Sequence, residues 1–250
     1  MSKLMRILDM LATVLRWVIV AIVLMLIWLF AVQSVRGQSV PLVRAQHESF
    51  VSYYDVQTHN PAVVVYQLEA SHFAGNIKVA GRHFKMDTKL PRPRVKDGDY
   101  TNSGFVRGHL CSAGDRDSKK SWLKETYLTS NLVPMTMVCN SGRFKAIEDS
   151  CRRLALQGHK LLIVRGPLYY MLERPSELVL QNRFCITIPA AFFSAARCLD
   201  CNLRVFLWCP NDGTNLLQVV RQFRNDQRVS VLLTNILGVW SREEYETITH

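Results

Sequence analysis

The chain has 250 residues, 48% of them hydrophobic, and 31 Lys and Arg against 20 Asp and Glu, for a formal net charge of +11. That apolar share excludes a chain too polar to bury a core, and the length suits one domain plus an appendage. The positive charge is spread rather than blocked, which suits a polyanion met through its phosphates or an anionic membrane surface. No zinc-finger, homeodomain or RNA-recognition pattern is present.

The appendage comes first. Lys3, Arg6 and Arg16 precede an uncharged apolar run over residues 17–35, close to the ~20 residues that span a bilayer. Leu11 and Leu15 extend the apolar length beyond Arg16, whose side chain can snorkel. A run this long exceeds the ~7–15 residues of a signal-peptide core, so an uncleaved transmembrane signal-anchor is expected over residues 1–35, meeting the membrane through residues 11–35. The basic residues lean toward the N-terminus lying inside. Residues 36–52 read as a polar linker, and residues 53–250 as the folded domain.

Within that domain, Pro61-Ala-Val-Val-Val-Tyr-Gln-Leu68 is a β-branched run typical of a buried strand. Residues 88–103 contain two prolines and an Asp-Gly pair and read as loop. Gly104-Phe105-Val106-Arg107-Gly108-His109-Leu110 follows. Arg107 and His109 are two apart, so a strand would point both to one face, with Gly108 permitting close approach between them. A short helix is expected between Arg116 and Thr126, and a second strand at Tyr127-Leu128-Thr129, ending at Asn131. Asn140 and Glu148 are eight apart, about 80° around a helix of 3.6 residues per turn, and so share one side. Ile147, Cys151, Leu154 and Ala155 form an apolar helical stripe, and Gly158 ends that helix. Strands are expected from Lys160 to Tyr169, from Phe184 to Phe193 and from Arg204 to Cys209, with a helix between Asn215 and Arg224.

One histidine, two amides, one carboxylate and several arginines are what cutting a phosphodiester around one metal ion needs. Histidine can take a proton from water near neutral pH. Amide and carboxylate oxygens are hard donors suited to Mg²⁺. Arginine grips phosphate through parallel hydrogen bonds.

Phe105-Val106-Arg107-Gly108-His109-Leu110, Asp115-Arg116, Tyr127-Leu128-Thr129-Ser130-Asn131, Pro134, Asn140 and Glu148 together resemble the DNA/RNA non-specific endonuclease family. This is the endonuclease G-like branch of the ββα-metal, or His-Me finger, nucleases. The resemblance runs over about residues 53–196. It implies an α+β fold with a central, largely antiparallel sheet and a ββα-metal active site, beside the N-terminal transmembrane helix. It implies His109 as general base, Arg107 and Arg82 near the scissile phosphate, and Asn131 shaping the site. Asn140 would be the direct ligand of Mg²⁺, or of Mn²⁺ in its place, with Glu148 acting through metal-bound water. Val106 departs from the usual Asp of the family, and Ser194 from its usual Lys. The other histidines (His47, His59, His72, His83, His159 and His250) are read as structural.

The expected function is therefore metal-dependent hydrolysis of DNA and RNA, leaving 5′-phosphate and 3′-hydroxyl ends, with no small-molecule cofactor; the reading admits a homodimer. A nuclease free among its own genome would be harmful, which favours an extracytoplasmic domain in a bacterial envelope, with the mitochondrial inner membrane as the alternative. Two other readings stay open. Val106 motivates a weakened relative that binds nucleic acid without cutting. Cys198-x-x-Cys201, near Cys185 and Cys209, motivates a cysteine-zinc envelope adaptor, although disulfide pairing among these four is as well supported, and no metal is assigned to them.

Overall fold

The structure, a computed structural model, describes residues 42–77, 84–169, 177–179 and 185–211, together with Met25. The expected signal-anchor, Arg82 and the expected helix after Asn215 lie outside the described residues. Among the described residues, no helix is long and apolar enough to cross a membrane.

Six antiparallel strands form the central sheet, as expected. They are β1 (Val43–Gln46), β2 (Val51–Asp55), β3 (Asn60–Leu68), β6 (Leu161–Leu168), β9 (Ala191–Cys198) and β10 (Arg204–Pro210), and they pair in that spatial order. The sheet thus begins ten residues before the expected domain boundary at residue 53, and part of the expected linker is its edge. β3 and β6 lie in the middle of the sheet with most residues on both faces buried, so they read as largely apolar runs, broken by Gln67 in β3 and Arg165 in β6. Asn60–Leu68 and Leu161–Leu168 match the expected strands closely.

A separate antiparallel pair carries the central motif. It consists of β4 (Val106–His109) and β5 (Leu132–Met135), with His109 opposite Leu132 and Arg107 opposite Pro134. The expected strand at Tyr127-Leu128-Thr129 is not there. Thr129–Asn131 make a 3-10 turn, and the strand follows Asn131 instead. Pro134 argues against a strand on sequence, but its missing N–H is tolerated because β5 has only one partner. The expected short helix appears as α1 (Lys120–Glu125).

Two helices then replace the one expected: α2 (Met137–Ser141) and α3 (Arg143–Leu156). Gly142 separates them, and a Cβ there would lie 2.5 Å from the Val138 carbonyl oxygen. Thr136 caps α2 by accepting a hydrogen bond from the Cys139 N–H. Along α3, Phe144, Ile147, Cys151 and Ala155 recur at helical spacing and are buried against the sheet, with Phe144 edge-on to Phe192 at 5.7 Å. Burying Phe144 and Ile147 alone is worth roughly 1.5–3 kcal/mol each. The helix ends at Leu156, and Gly158 adopts φ +96°, where glycine is favoured.

The expected strand from Phe184 to Phe193 is also divided. β8 (Cys185–Thr187) pairs with β7 (Glu177–Val179) in a small ribbon, and β9 belongs to the main sheet. Pro189, between them, cannot donate to a ladder.

Candidate active site

Arg107, His109, Asn140 and Glu148 line one cleft of about 570 Å³, with Phe84, Ser112, Tyr127, Lys145 and Arg152. Strand alternation brings the first two there, since Arg107 and His109 flank the buried Gly108. Gly108 is needed for a reason internal to the fold: a Cβ would lie 2.7 Å from Met135 Cβ on the paired strand. Two helices bring Asn140 and Glu148 together, not the single helix that their spacing suggests.

His109 packs edge-on to Tyr127, ring centroids 5.2 Å apart, and tilted against Phe84 at 5.6 Å. Two aromatic walls fix the imidazole plane at the cleft. Arg107 stacks over Phe84 at 5.2 Å and Tyr100 at 5.5 Å, donates from Nη2 to the Asp97 carbonyl at 2.7 Å and pairs with the Asp97 carboxylate. Its guanidinium is thereby held flat at the cleft wall.

Beneath the cleft lies a buried charge network that sequence reasoning did not assign. Asp115, with no exposed side-chain surface, accepts from Tyr66 Oη at 2.7 Å and from Arg152 Nη1 at 2.6 Å. Arg165 is equally buried. Its Nη1 lies 3.6 Å from Glu148 Oε1 and donates to the Leu110 carbonyl at 3.2 Å. Its Nε donates to Ser194 Oγ at 3.1 Å across the β6–β9 pairing. A lysine at 194, as the family usually has, would set a second cation beside Arg165. Serine accepts a hydrogen bond there instead. The signal available in sequence was an arginine inside an apolar strand run, which is costly unless paired.

Glu148 sits where this network meets the cleft. Ser112 Oγ donates to its Oε2 at 3.1 Å, and Arg152 Nη2 lies 3.8 Å from the same oxygen. Burial pushes its carboxyl up to about 7, against the opposing pull of Arg165 and Arg152.

Asn131 is not among the cleft-lining residues. It is fully buried. Its Oδ1 accepts from the Cys111 N–H at 2.7 Å, and its Nδ2 donates to the Cys111 and Thr126 carbonyls at 2.9 and 2.8 Å. With the amide so engaged, Asn131 fixes the chain just after His109. Its amide is turned to that backbone and not to the cleft. Asn211 holds the next junction: its Oδ1 accepts from the Thr136 N–H at 2.8 Å and its Nδ2 donates to the Pro134 and Pro189 carbonyls. It ties β5 and the start of α2 to the end of β10. Val106 lines the cleft and packs against the main core. His47 forms a buried 2.9 Å pair with Asp87 and is structural, as expected.

Comparison with known proteins gives three findings. A model of the DNA/RNA non-specific endonuclease family matches residues 33–234. The chain is 31% identical over 156 residues to the mitochondrial nuclease of Saccharomyces cerevisiae (58% of this chain, 47% of that one). It is 32% identical over 116 residues to the human mitochondrial nuclease EXOG (46% of this chain, 32% of that one). These matches span from about a third to a half of the relatives' own lengths. A chain from the crystal structure of the EndoG/EndoGI complex superposes with a TM-score of 0.57 at 21% identity, covering 85% of this chain and 91% of that one, and so shares the fold.

Proposed function

From this chain's membership of the DNA/RNA non-specific endonuclease family, we propose that it is a metal-dependent endonuclease that hydrolyses phosphodiester bonds of DNA and RNA with little regard to sequence. The observation that carries this reading is that Arg107, His109, Asn140 and Glu148 line one cleft, although they come from a strand and two separate helices.

His109 is the general base. It takes the proton of the water that attacks phosphorus, while its aromatic walls hold the ring in place. Arg107 faces the phosphate as a fixed cation where charge builds in the transition state, and Arg82, outside the described residues, is assigned the same task from the sequence motif alone. The donor set fits a hard dication. Asn140, Glu148 and Ser112 present oxygen atoms to the same cleft, and thiolates are absent from its lining. Asn140 would hold Mg²⁺ directly, or Mn²⁺ in its place, and Glu148 through water. When bound, the ion supplies positive charge to the phosphoryl and leaving oxygens. Glu148 stays ionised most readily beside such an ion, since burial alone raises its pKa. Asn131 positions His109 by fixing the backbone that follows it.

Two further parts of the reading rest on sequence. The apolar run over residues 17–35 supports an anchored enzyme with the nuclease domain, from residue 43 onward, outside the cytoplasm. Relatives named as mitochondrial support the mitochondrion over a bacterial envelope.

The test uses the full chain with plasmid DNA and with single-stranded RNA. Cleavage of both is expected with Mg²⁺ and is lost with EDTA or in Asn140→Ala. Binding of both with no cutting under any divalent ion would overturn the proposal and leave a nucleic-acid-binding protein of the same fold, with Val106→Asp as the next variant.

A further inference from the structure

The turn from α3 into β6 and the turn from β9 into β10 come together because β6 and β9 are antiparallel, with Leu161 opposite Cys198. Continuing that register outward sets Lys160 beside Leu199 and His159 beside Asp200. The Leu199 N–H donates to the Lys160 carbonyl at 2.8 Å, which fixes the approach.

Four donors converge at this point. The ligand atoms of His159, Cys198, Asp200 and Cys201 all lie within 4.8 Å of one another. His159 Nδ1 is 3.8 Å from each sulfur and 3.8 Å from Asp200 Oδ1. A tetrahedral Zn²⁺ with bonds of about 2.3 Å to sulfur and 2.0–2.1 Å to nitrogen or oxygen spaces its ligands by roughly 3.3–3.8 Å, a range the three His159 distances meet, while the bonded sulfurs and the Asp200–Cys198 pair stand closer and must part to admit the ion. None of the four residues lines the cleft described above.

In this structure the two sulfurs are joined as a disulfide. That bond does not account for its surroundings. Asp200 Oδ1 lies 2.8 Å from Cys198 Sγ, and a disulfide sulfur has no hydrogen to offer a carboxylate. An imidazole nitrogen faces both sulfurs as well. A carboxylate, an imidazole and two sulfurs turned toward one another are a set of electron-pair donors, and a cation at their centre satisfies all of them. Two thiolates, one carboxylate and a neutral imidazole leave a single net negative charge once Zn²⁺ is bound.

We propose that His159, Cys198, Asp200 and Cys201 form a structural Zn²⁺ site in the reduced protein, closing one end of the sheet by tying the α3–β6 turn to the β9–β10 turn. The disulfide is the oxidised, metal-free form of the same pair. A small-molecule thiol supplies the two electrons and two protons that open it, and the resulting thiols release both protons on binding Zn²⁺.

The test takes the full chain, reduced with excess dithiothreitol, exchanged into reductant-free anaerobic buffer and offered Zn²⁺ or Co²⁺. About one zinc per chain is expected by mass spectrometry, and Co²⁺ should give a thiolate charge-transfer band with tetrahedral d–d absorption. Zinc should be lost in Cys201→Ser and in His159→Ala, and retained in Asn140→Ala, which separates this site from the active-site cleft. The Co²⁺ spectrum needs no variant and so decides the matter even if a substitution impairs folding. Absence of bound zinc while both cysteines titrate as free thiols would overturn the proposal. So would zinc that persists in Cys201→Ser, or a disulfide that resists reduction in the folded protein.

Discussion

Glu148 has a folded-state pKa of about 7 against an ordinary 4.5, raised by burial. A carboxyl whose pKa is raised binds its proton more tightly folded than unfolded. Its contribution to stability is therefore full below pH 4.5 and is lost as pH rises through 7. In chelator, Glu148→Gln should unfold at a higher temperature than the parent at pH 8, by about 1–3 kcal/mol in stability, and the difference should vanish near pH 5. The same variant should cut poorly with Mg²⁺. Equal melting temperatures at both pH values would show that the carboxyl is not buried as described. Asn131→Ala makes the contrasting case. It orphans the Cys111 N–H and two carbonyls in the interior, so denaturant unfolding should show a loss of at least about 2 kcal/mol. At this scale the meeting of His109, Asn140 and Glu148 in one cleft was legible from the motif that carries them. The sequence was not legible for Asp115 and Arg165, because each is explained only by partners distant in the chain: Tyr66 and Arg152 for one, Glu148 and Ser194 for the other.

The finger that carries the site depends on two glycines, each of which spares a clash. Gly142 lets α2 stop and α3 start afresh, and a methyl group there would meet the Val138 carbonyl at 2.5 Å. Gly142→Ala should therefore tilt α2 and displace Asn140 from Glu148. The expected result is a Mg²⁺ requirement raised several-fold and a stability loss of about 1–3 kcal/mol, read by metal titration of cleavage and by chemical denaturation. An unchanged metal dependence would show that the two helices do not need their break. The break is also why spacing misled. Eight residues on one continuous helix place Asn140 and Glu148 on one side, and the same two residues reach the same cleft by another geometry. The second strand shifted for a comparable reason. Pro134 weighs against a strand wherever two partners are needed, and β5 has only one. Periodicity served best where a single face is buried, as along Phe144, Ile147, Cys151 and Ala155, whereas β3, buried on both faces, was legible from its β-branched run instead.

The whole molecule carries a net charge of +11, and its cleft combines Arg107, Lys145 and Arg152 with aromatic walls. Contacts of this kind track phosphates and release counterions, so affinity for DNA should fall linearly on a log–log plot against salt, with a slope of roughly −0.9 per phosphate neutralised and little dependence on sequence. Fluorescence polarisation with two unrelated duplexes would check this, and a strong preference for one of them would contradict it. Six antiparallel strands with a helix packed on them match the fold class that the motifs implied, and the family match over residues 33–234 spans the same domain. The central claim is that His109 moves the proton in phosphodiester hydrolysis. Its most direct test is single-turnover plasmid cleavage at saturating protein with Mg²⁺, comparing the parent chain with His109→Ala while following DNA binding in parallel. The variant's rate should be lower by roughly 10²–10⁴-fold, with binding retained. Cleavage at the parental rate by His109→Ala would contradict that claim.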